Sequence, residues 1–189
     1  MKQARIPNEQ EYKRLLAVIS TGRYAARNRM AFMFSYAAGM RVGEIAALKI
    51  GDVLDRDGNV RDQIQLRPEQ TKGDKHRMVF VSKKLQKEIR NYVKTLRNVE
   101  DVERPLLTTQ KRQAFTANVL CQLFGQLYRQ AGIDCASSHS GRRAFITNLS
   151  QSGISVKIIA SLAGHRSIQT TARYISVTDD MMRNAVEVI

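Results

Sequence analysis

The sequence predicts an α+β domain that is mainly helical, and three observations carry that reading. Apolar residues recur at helical spacing through most of the 189 residues. Short β-like runs are confined to one block between Ile50 and Val81. No interdomain linker, internal repeat or low-complexity tract interrupts the chain. With 43% hydrophobic residues there is enough apolar material for a sizeable core, so residues 1–189 are read as a single domain.

Pro7-Asn8 followed by Glu9 and Glu11 marks a helix start, with Tyr12, Leu15, Leu16 and Ile19 on one face and Gly22 as the stop. The stretch from Tyr24 to Ala38 is apolar nearly all round, as in a central, fully packed helix. Gly39 interrupts it, and Val42 to Leu48 gives another short helix, which puts Arg41 at a helix start where its side chain can point into a cleft. The pattern then changes to Val53-Leu54, Ile64 to Leu66 and Met78 to Val81, punctuated by Asp57-Gly58 and Gly73-Asp74. That predicts a small three-stranded antiparallel sheet, with Lys72 on the turn between its second and third strands. Helices resume at Ser82, with Leu85, Ile89, Tyr92, Val93 and Leu96, and again from Thr116 to Gly132. Asn98 to Arg104 is a polar surface loop between them. The last third holds four short helical segments, Ser140 to Gln151, Ser155 to Ala163, Ser167 to Ser176 and Thr178 to Ile189. Ser155, Ser167 and Thr178 stand at N-cap positions, and Gly153 and Gly164 at ends.

A formal charge of +14 is too large for solubilising decoration on a chain of this length and favours a polyanionic partner, nucleic acid before membrane. No apolar run approaches the roughly 20 residues that span a bilayer, and Met1 to Arg5 is followed by no signal-peptide core. The expected location is the cytoplasm, at the nucleoid. Cys121 and Cys135 are unclustered and suggest neither a disulfide framework nor a zinc site.

Between His139 and Tyr174 the sequence gathers His139, Arg142, His165 and, at the end of G-H-R-S-I-Q-T-T-A-R-Y, Tyr174. Earlier, A-A-G-M-R-V-G-E-I-A-A-L supplies Arg41 and Glu44, and T-K-G-D-K-H-R supplies Lys72. Taken singly, each has a plainer explanation: a partly packed tyrosine, a solvated turn lysine, a histidine capping a helix, salt-bridge arginines. Together, A-G-M-R-x-G-E, T-K-G-x-K-x-R, H-x-x-R and G-H-x-x-x-x-T-x-x-x-Y occur once each. In this order they resemble the catalytic domain of the tyrosine recombinases, the phage-integrase family, over nearly the whole chain.

The chemistry of the residues fits that resemblance. Guanidinium groups donate in a planar fork and stay charged, so Arg41 and Arg142 suit a clamp on the non-bridging oxygens of a phosphodiester. His139, three residues before Arg142, and His165, after Gly164, are placed to assist the same phosphate. Glu44, one turn beyond Arg41, reads as a brace for that guanidinium. Tyr174 is the nucleophile, whose phosphotyrosyl intermediate stores the bond energy for religation. Lys72, which the resemblance favours over Lys75, is the general acid for the leaving oxygen. Neither a nucleotide cofactor nor a metal is required.

The resemblance further implies double-stranded DNA as partner, a 3′-phosphotyrosyl link, and strand exchange through a Holliday junction in a synaptic tetramer. It also implies a monomer when free, accessory DNA-bending proteins, and a C-terminal segment docked on a neighbouring protomer. Two other functions compete: a relaxing topoisomerase with similar chemistry, and a DNA-binding regulator that keeps the basic surface without the reaction. The chain departs from the family in two ways. Gly141 and Arg143 flank Arg142 where leucine and histidine are common, and Arg143 offers a further DNA contact. The helical DNA-binding domain that precedes the catalytic domain in most members is also missing from this sequence, which leaves a fragment or a naturally short recombinase as readings.

Overall fold

The computed structural model describes residues 5–71, 75–175 and 179–187. In chain order its elements are α1 (Glu9–Thr21), α2 (Ala25–Ala38), α3 (Val42–Ala46), α4 (Ile50–Val53), β1 (Gln63–Leu66), β2 (Arg77–Phe80) and α5 (Lys83–Val93). There follow α6 (Ala117–Gln130), α7 (Ser140–Gln151), α8 (Val156–Ala163), α9 (Ile168–Ala172) and α10 (Asp179–Val186). A single 3-10 turn, Pro68–Gln70, follows β1. None of these helices is long and apolar enough to cross a membrane.

Helix starts follow local chemistry. Asn8 and Glu11 form a reciprocal capping box on α1, and Ser82, Thr116 and Ser155 each accept a backbone N–H at the start of α5, α6 and α8. Helix α2 is the hub, packed by α1, α5 and α7. Its Met30, Phe32, Met33 and Phe34 are all buried, which is why its sequence shows no polar face. Phe32 meets the rings of Phe124 and Tyr128 from α6 edge-on, both at 6.4 Å between centroids.

The contact between α2 and α7 positions the site. A Cβ on Gly141 would lie 2.7 Å from Ser35 Oγ, and one on Gly39 would lie 2.4 Å from Phe145 Cδ1. Bare glycine backbone at these two points lets the first turn of α7, which bears Arg142, press against the end of α2. The departure at Gly141 therefore has a packing reason, since a leucine there would collide with α2.

The sheet corrects one expectation. Among the described residues it has two antiparallel strands, not three, with Gln63 opposite Phe80 and Leu66 opposite Arg77. Val53 closes the one-turn helix α4, and Leu54 makes only an isolated bridge to Val60. The two apolar residues Val53-Leu54 were too short a run to distinguish a strand from a helix end. The segment Ser167 to Ser176 is also shorter than expected: α9 ends at Ala172, and Tyr174 lies in the turn beyond it. A small satellite core explains that turn. Ile146, Ile159 and Ala163 are buried, and Phe145, Leu149, Tyr174 and Ile175 pack against them.

Candidate active site

Two helices end in left-handed glycines, α2 at Gly39 with φ +60° and α8 at Gly164 with φ +63°. The last carbonyls of a helix lack intrahelical partners and carry the negative end of its dipole. Three arginines converge on these ends. Arg77 donates to Leu162 O at 2.9 Å, Arg142 to Ala163 O, and Arg41 to Gly164 O at 3.0 Å. Three successive carbonyls of α8 are thus each capped by a different guanidinium. Arg142 and Arg77 also donate to Gly39 O, tying the two helix ends together.

Glu44 is the carboxylate bound into this cluster. It accepts from the Arg41 backbone N at 2.7 Å and from Arg41 Nη1 at 2.9 Å, and pairs with Arg77 Nη1. Its side chain is 1% exposed. Burial alone would raise its pKa, but Arg77 and then Arg41 overcome that and hold the carboxyl below its ordinary value, so it is ionised. Glu44 therefore joins two arginines, Arg41 and Arg77.

Three guanidiniums facing one carboxylate leave the cluster cationic. Arg142 bears most of the consequence: 6% exposed, its pKa is pushed down to about 9 by burial and then by Arg41 and Arg77. A delocalised guanidinium remains charged at neutral pH, but a charge so placed is costly without an anion. A phosphodiester is such an anion, and it matches the fork geometry of arginine.

His165 follows Gly164 directly, so the same carbonyl-arginine contacts fix its backbone. Its Nδ1 lies 2.8 Å from the hydroxyl of Thr171, a fully buried residue, which leaves Nε2 as the ring nitrogen open to a ligand. Burial first, then Arg142, Arg41 and Arg77, push its pKa down to about 4, so at neutral pH it is a neutral imidazole. The ring of Tyr174 stacks on it at 6.1 Å and 24°. The guanidinium of Arg143 lies 5.6 Å from the centre of the Tyr174 ring, and Thr147 Oγ1 donates to the Tyr174 carbonyl at 3.2 Å. Tyr174 is half-buried.

The structure thus brings Arg41, Glu44, Arg142, His165 and Tyr174 into one neighbourhood. His139 is exposed at the N-cap of α7, and its ring is not among the groups hydrogen-bonded into the cluster. Lys72 lies outside the described residues. Arg41 and His165 line one cleft with Thr71, Lys75 and His76 from the segment around it. Two contributors escaped the sequence reading. Arg77 was quoted within T-K-G-x-K-x-R without a role; strand alternation puts it on the same face as Val79 but does not say which face is buried. Thr171 gave no signal beyond its spacing from His165. Among the described residues, no group of three His, Cys, Asp or Glu is arranged to hold a metal ion. The thiols of Cys121 and Cys135 are free.

Known proteins share this fold. The profile of the phage integrase family matches residues 6–181. Tyrosine recombinase XerA of Thermococcus kodakarensis is 36% identical over 184 residues, covering 94% of this chain and 60% of that protein. The XerA of Pyrococcus furiosus is 31% identical over 185 residues, covering 95% and 59%. The chain therefore spans about 60% of the length of the curated relatives it matches. The crystal structure of XerA recombinase superposes with a TM-score of 0.74 at 27% identity, covering 98% of this chain and 65% of that one. A Tn1549 transposon integrase solved with circular intermediate DNA shares the fold, with a TM-score of 0.75 at 18% identity over 99% and 67%. On the family match and the relatives together, this chain belongs to the phage integrase family, that of the tyrosine recombinases.

Proposed function

We propose that residues 1–189 are the catalytic unit of a site-specific DNA recombinase that cleaves and rejoins duplex DNA through Tyr174. The observation that carries this reading is a largely buried cationic cluster in which, among the described residues, Arg41, Arg77 and Arg142 share the carboxylate of Glu44, with a tyrosine stacked at its edge on His165. Arg41 and Arg142 hold the non-bridging oxygens of the scissile phosphate. The neutral imidazole of His165 donates from Nε2 when Thr171 donates to its Nδ1, and His139, at the N-cap of α7, turns toward the same phosphate once DNA is bound. The Tyr174 hydroxyl gives up its proton to solvent as its oxygen attacks phosphorus, the 5′-oxygen leaves with a proton from Lys72, and a 3′-phosphotyrosyl bond remains. Reversal by another 5′-hydroxyl rejoins the strand, so neither cofactor nor metal enters a step.

Assembly as a tetramer on paired sites, with accessory DNA-bending proteins at the nucleoid, belongs to the same reading, as does a monomer in the absence of DNA. Its support is α10, where Met182 and Val186 are 54% and 66% exposed, an apolar surface suited to a neighbouring protomer. Ile189 lies outside the described residues. A plasmid carrying two copies of the target sequence tests the function. A recombinase inverts or excises the segment between them; relaxation without rearrangement would mark a topoisomerase, and binding without either a silent regulator.

A further inference from the structure

Helix α5 presents a face that its packing does not use. Leu85, Ile89 and Tyr92 are buried on its inner side, which rests against α2. Opposite them Lys83, Lys87, Arg90 and Lys94 are all exposed, and at 3.6 residues per turn they fall within an arc of about 60°. Like charges at this spacing repel one another along a helix. Lys83 and Lys84 stand in a first turn without an acidic residue, at the end of the helix dipole that disfavours cations. The carboxylate of this helix, Glu88, is held from α2 by Arg29 Nε and Nη2, at 2.8 and 2.6 Å. A helix shaped for stability alone would put acids in its first turn and mix signs on its outer face.

We propose that the outer face of α5 is a second binding surface for the phosphate backbone of duplex DNA, separate from the arginine cluster. Four cations along about 16 Å of helix face a polymer with one negative charge every 1.7 Å or so of its axis. The exposed large apolar side chains of the described residues include none from α5. The face therefore lacks the buried anchors that secure a protein partner, the apolar side of a membrane-binding helix and the stacking rings that hold single strands. The surface also leads away from the site. Glu88, Asn91 and Tyr92 border a groove with Ala26, Arg29 and Met30, in the first half of α2, whereas the arginines gather at its last turn. The DNA held on α5 lies outside the cleaved segment, so this inference goes beyond the proposed reaction.

The test is the whole chain with Lys83→Gln, Lys87→Gln, Arg90→Gln and Lys94→Gln combined, measured by fluorescence anisotropy on a 30-base-pair duplex across a salt series. At about 0.9 counterion per contact, the slope of log affinity against log salt should fall by about 2 to 4. Affinity near physiological salt should drop about tenfold or more, while the melting temperature stays level or rises as repulsion is relieved. Lys87→Gln with Arg90→Gln should give about half the slope change and serves if the fourfold variant does not fold. Covalent adduct formation on a short saturating duplex should stay within twofold of the unmodified chain. An unmodified chain that forms no adduct while the slope still falls would fail the proposed reaction and leave the surface standing. Unchanged slope and affinity in both variants would overturn the surface, as would a loss confined to polyglutamate or anionic vesicles.

Discussion

Glu44 and Arg77 pair across 33 positions of sequence with side chains only 1% and 7% exposed, and their contact joins α3 to β2 beneath the site. Glu44 also holds Arg41, so a neutral side chain there would leave Arg41 and Arg77 uncompensated beside Arg142. Glu44→Gln should lower stability by about 3 to 5 kcal/mol, the cost of breaking a buried pair from one side. Adding Arg77→Met should recover part of it. Urea unfolding of the two variants checks this, and a loss below about 1 kcal/mol in Glu44→Gln would remove the pair from the frame of the site.

His165 gives the site an acid-side limit. Its folded pKa of about 4 lies below the ordinary 6.5, so between those values the unfolded chain binds more protons. The contribution of this group to stability is present above pH 6.5 and is lost as pH falls towards 4. Titration of its imidazole by NMR should show no protonation between pH 6 and 8, and Arg142→Gln should move its pKa upward by removing a neighbouring cation. A normal titration near 6.5 in the unmodified protein would contradict the burial of the ring among arginines.

Most helix ends were legible in the sequence because caps are local: Asn8, Ser82, Thr116 and Ser155 act on N–H groups of their own first turn. Arg41 and Arg142 stood out as members of A-G-M-R-x-G-E and H-x-x-R. Arg77 did not, because β2 has apolar residues on both faces. Met78 and Phe80 could have been buried as readily as Val79, and only the register with Ile64 and Leu66 turns Arg77 inward. Likewise α9 ends before Tyr174, and Tyr174 and Ile175 pack against distant Ile146 and Ile159, contacts that no local pattern announces. For His139, spacing gave its distance from Arg142 along α7 without the direction of its ring.

The contact between Gly141 and Ser35 makes a separate expectation about the fold. Gly141→Ala places a methyl 2.7 Å from Ser35 Oγ and should cost about 1 to 3 kcal/mol through overpacking. Ser35→Gly should partly relieve it when the two are combined. Thermal unfolding of the single and double variants measures the coupling; strictly additive effects would show that α2 and α7 are not in contact there.

The clamp and the acid separate by chemistry. Arg41→Ala and Arg142→Ala should each slow strand cleavage about a hundred- to a thousandfold, the scale of losing one transition-state donor. Lys72→Ala should also slow it, but a substrate with sulfur at the 5′-bridging position needs no protonation of the leaving group and should rescue only the lysine variant. Equal rescue of all three, or of none, would take Lys72 out of the acid role.

The central claim is that Tyr174 is the nucleophile, and the most direct measurement is mass spectrometry of protein trapped on a nicked suicide duplex bearing the target sequence. The expected result is a phosphotyrosyl peptide containing Tyr174 in the unmodified chain. Tyr174→Phe, which keeps the ring stacked on His165, should give no adduct while binding DNA with similar affinity. An adduct that persists in Tyr174→Phe, or that maps to Tyr24, Tyr36 or another residue, would contradict the account.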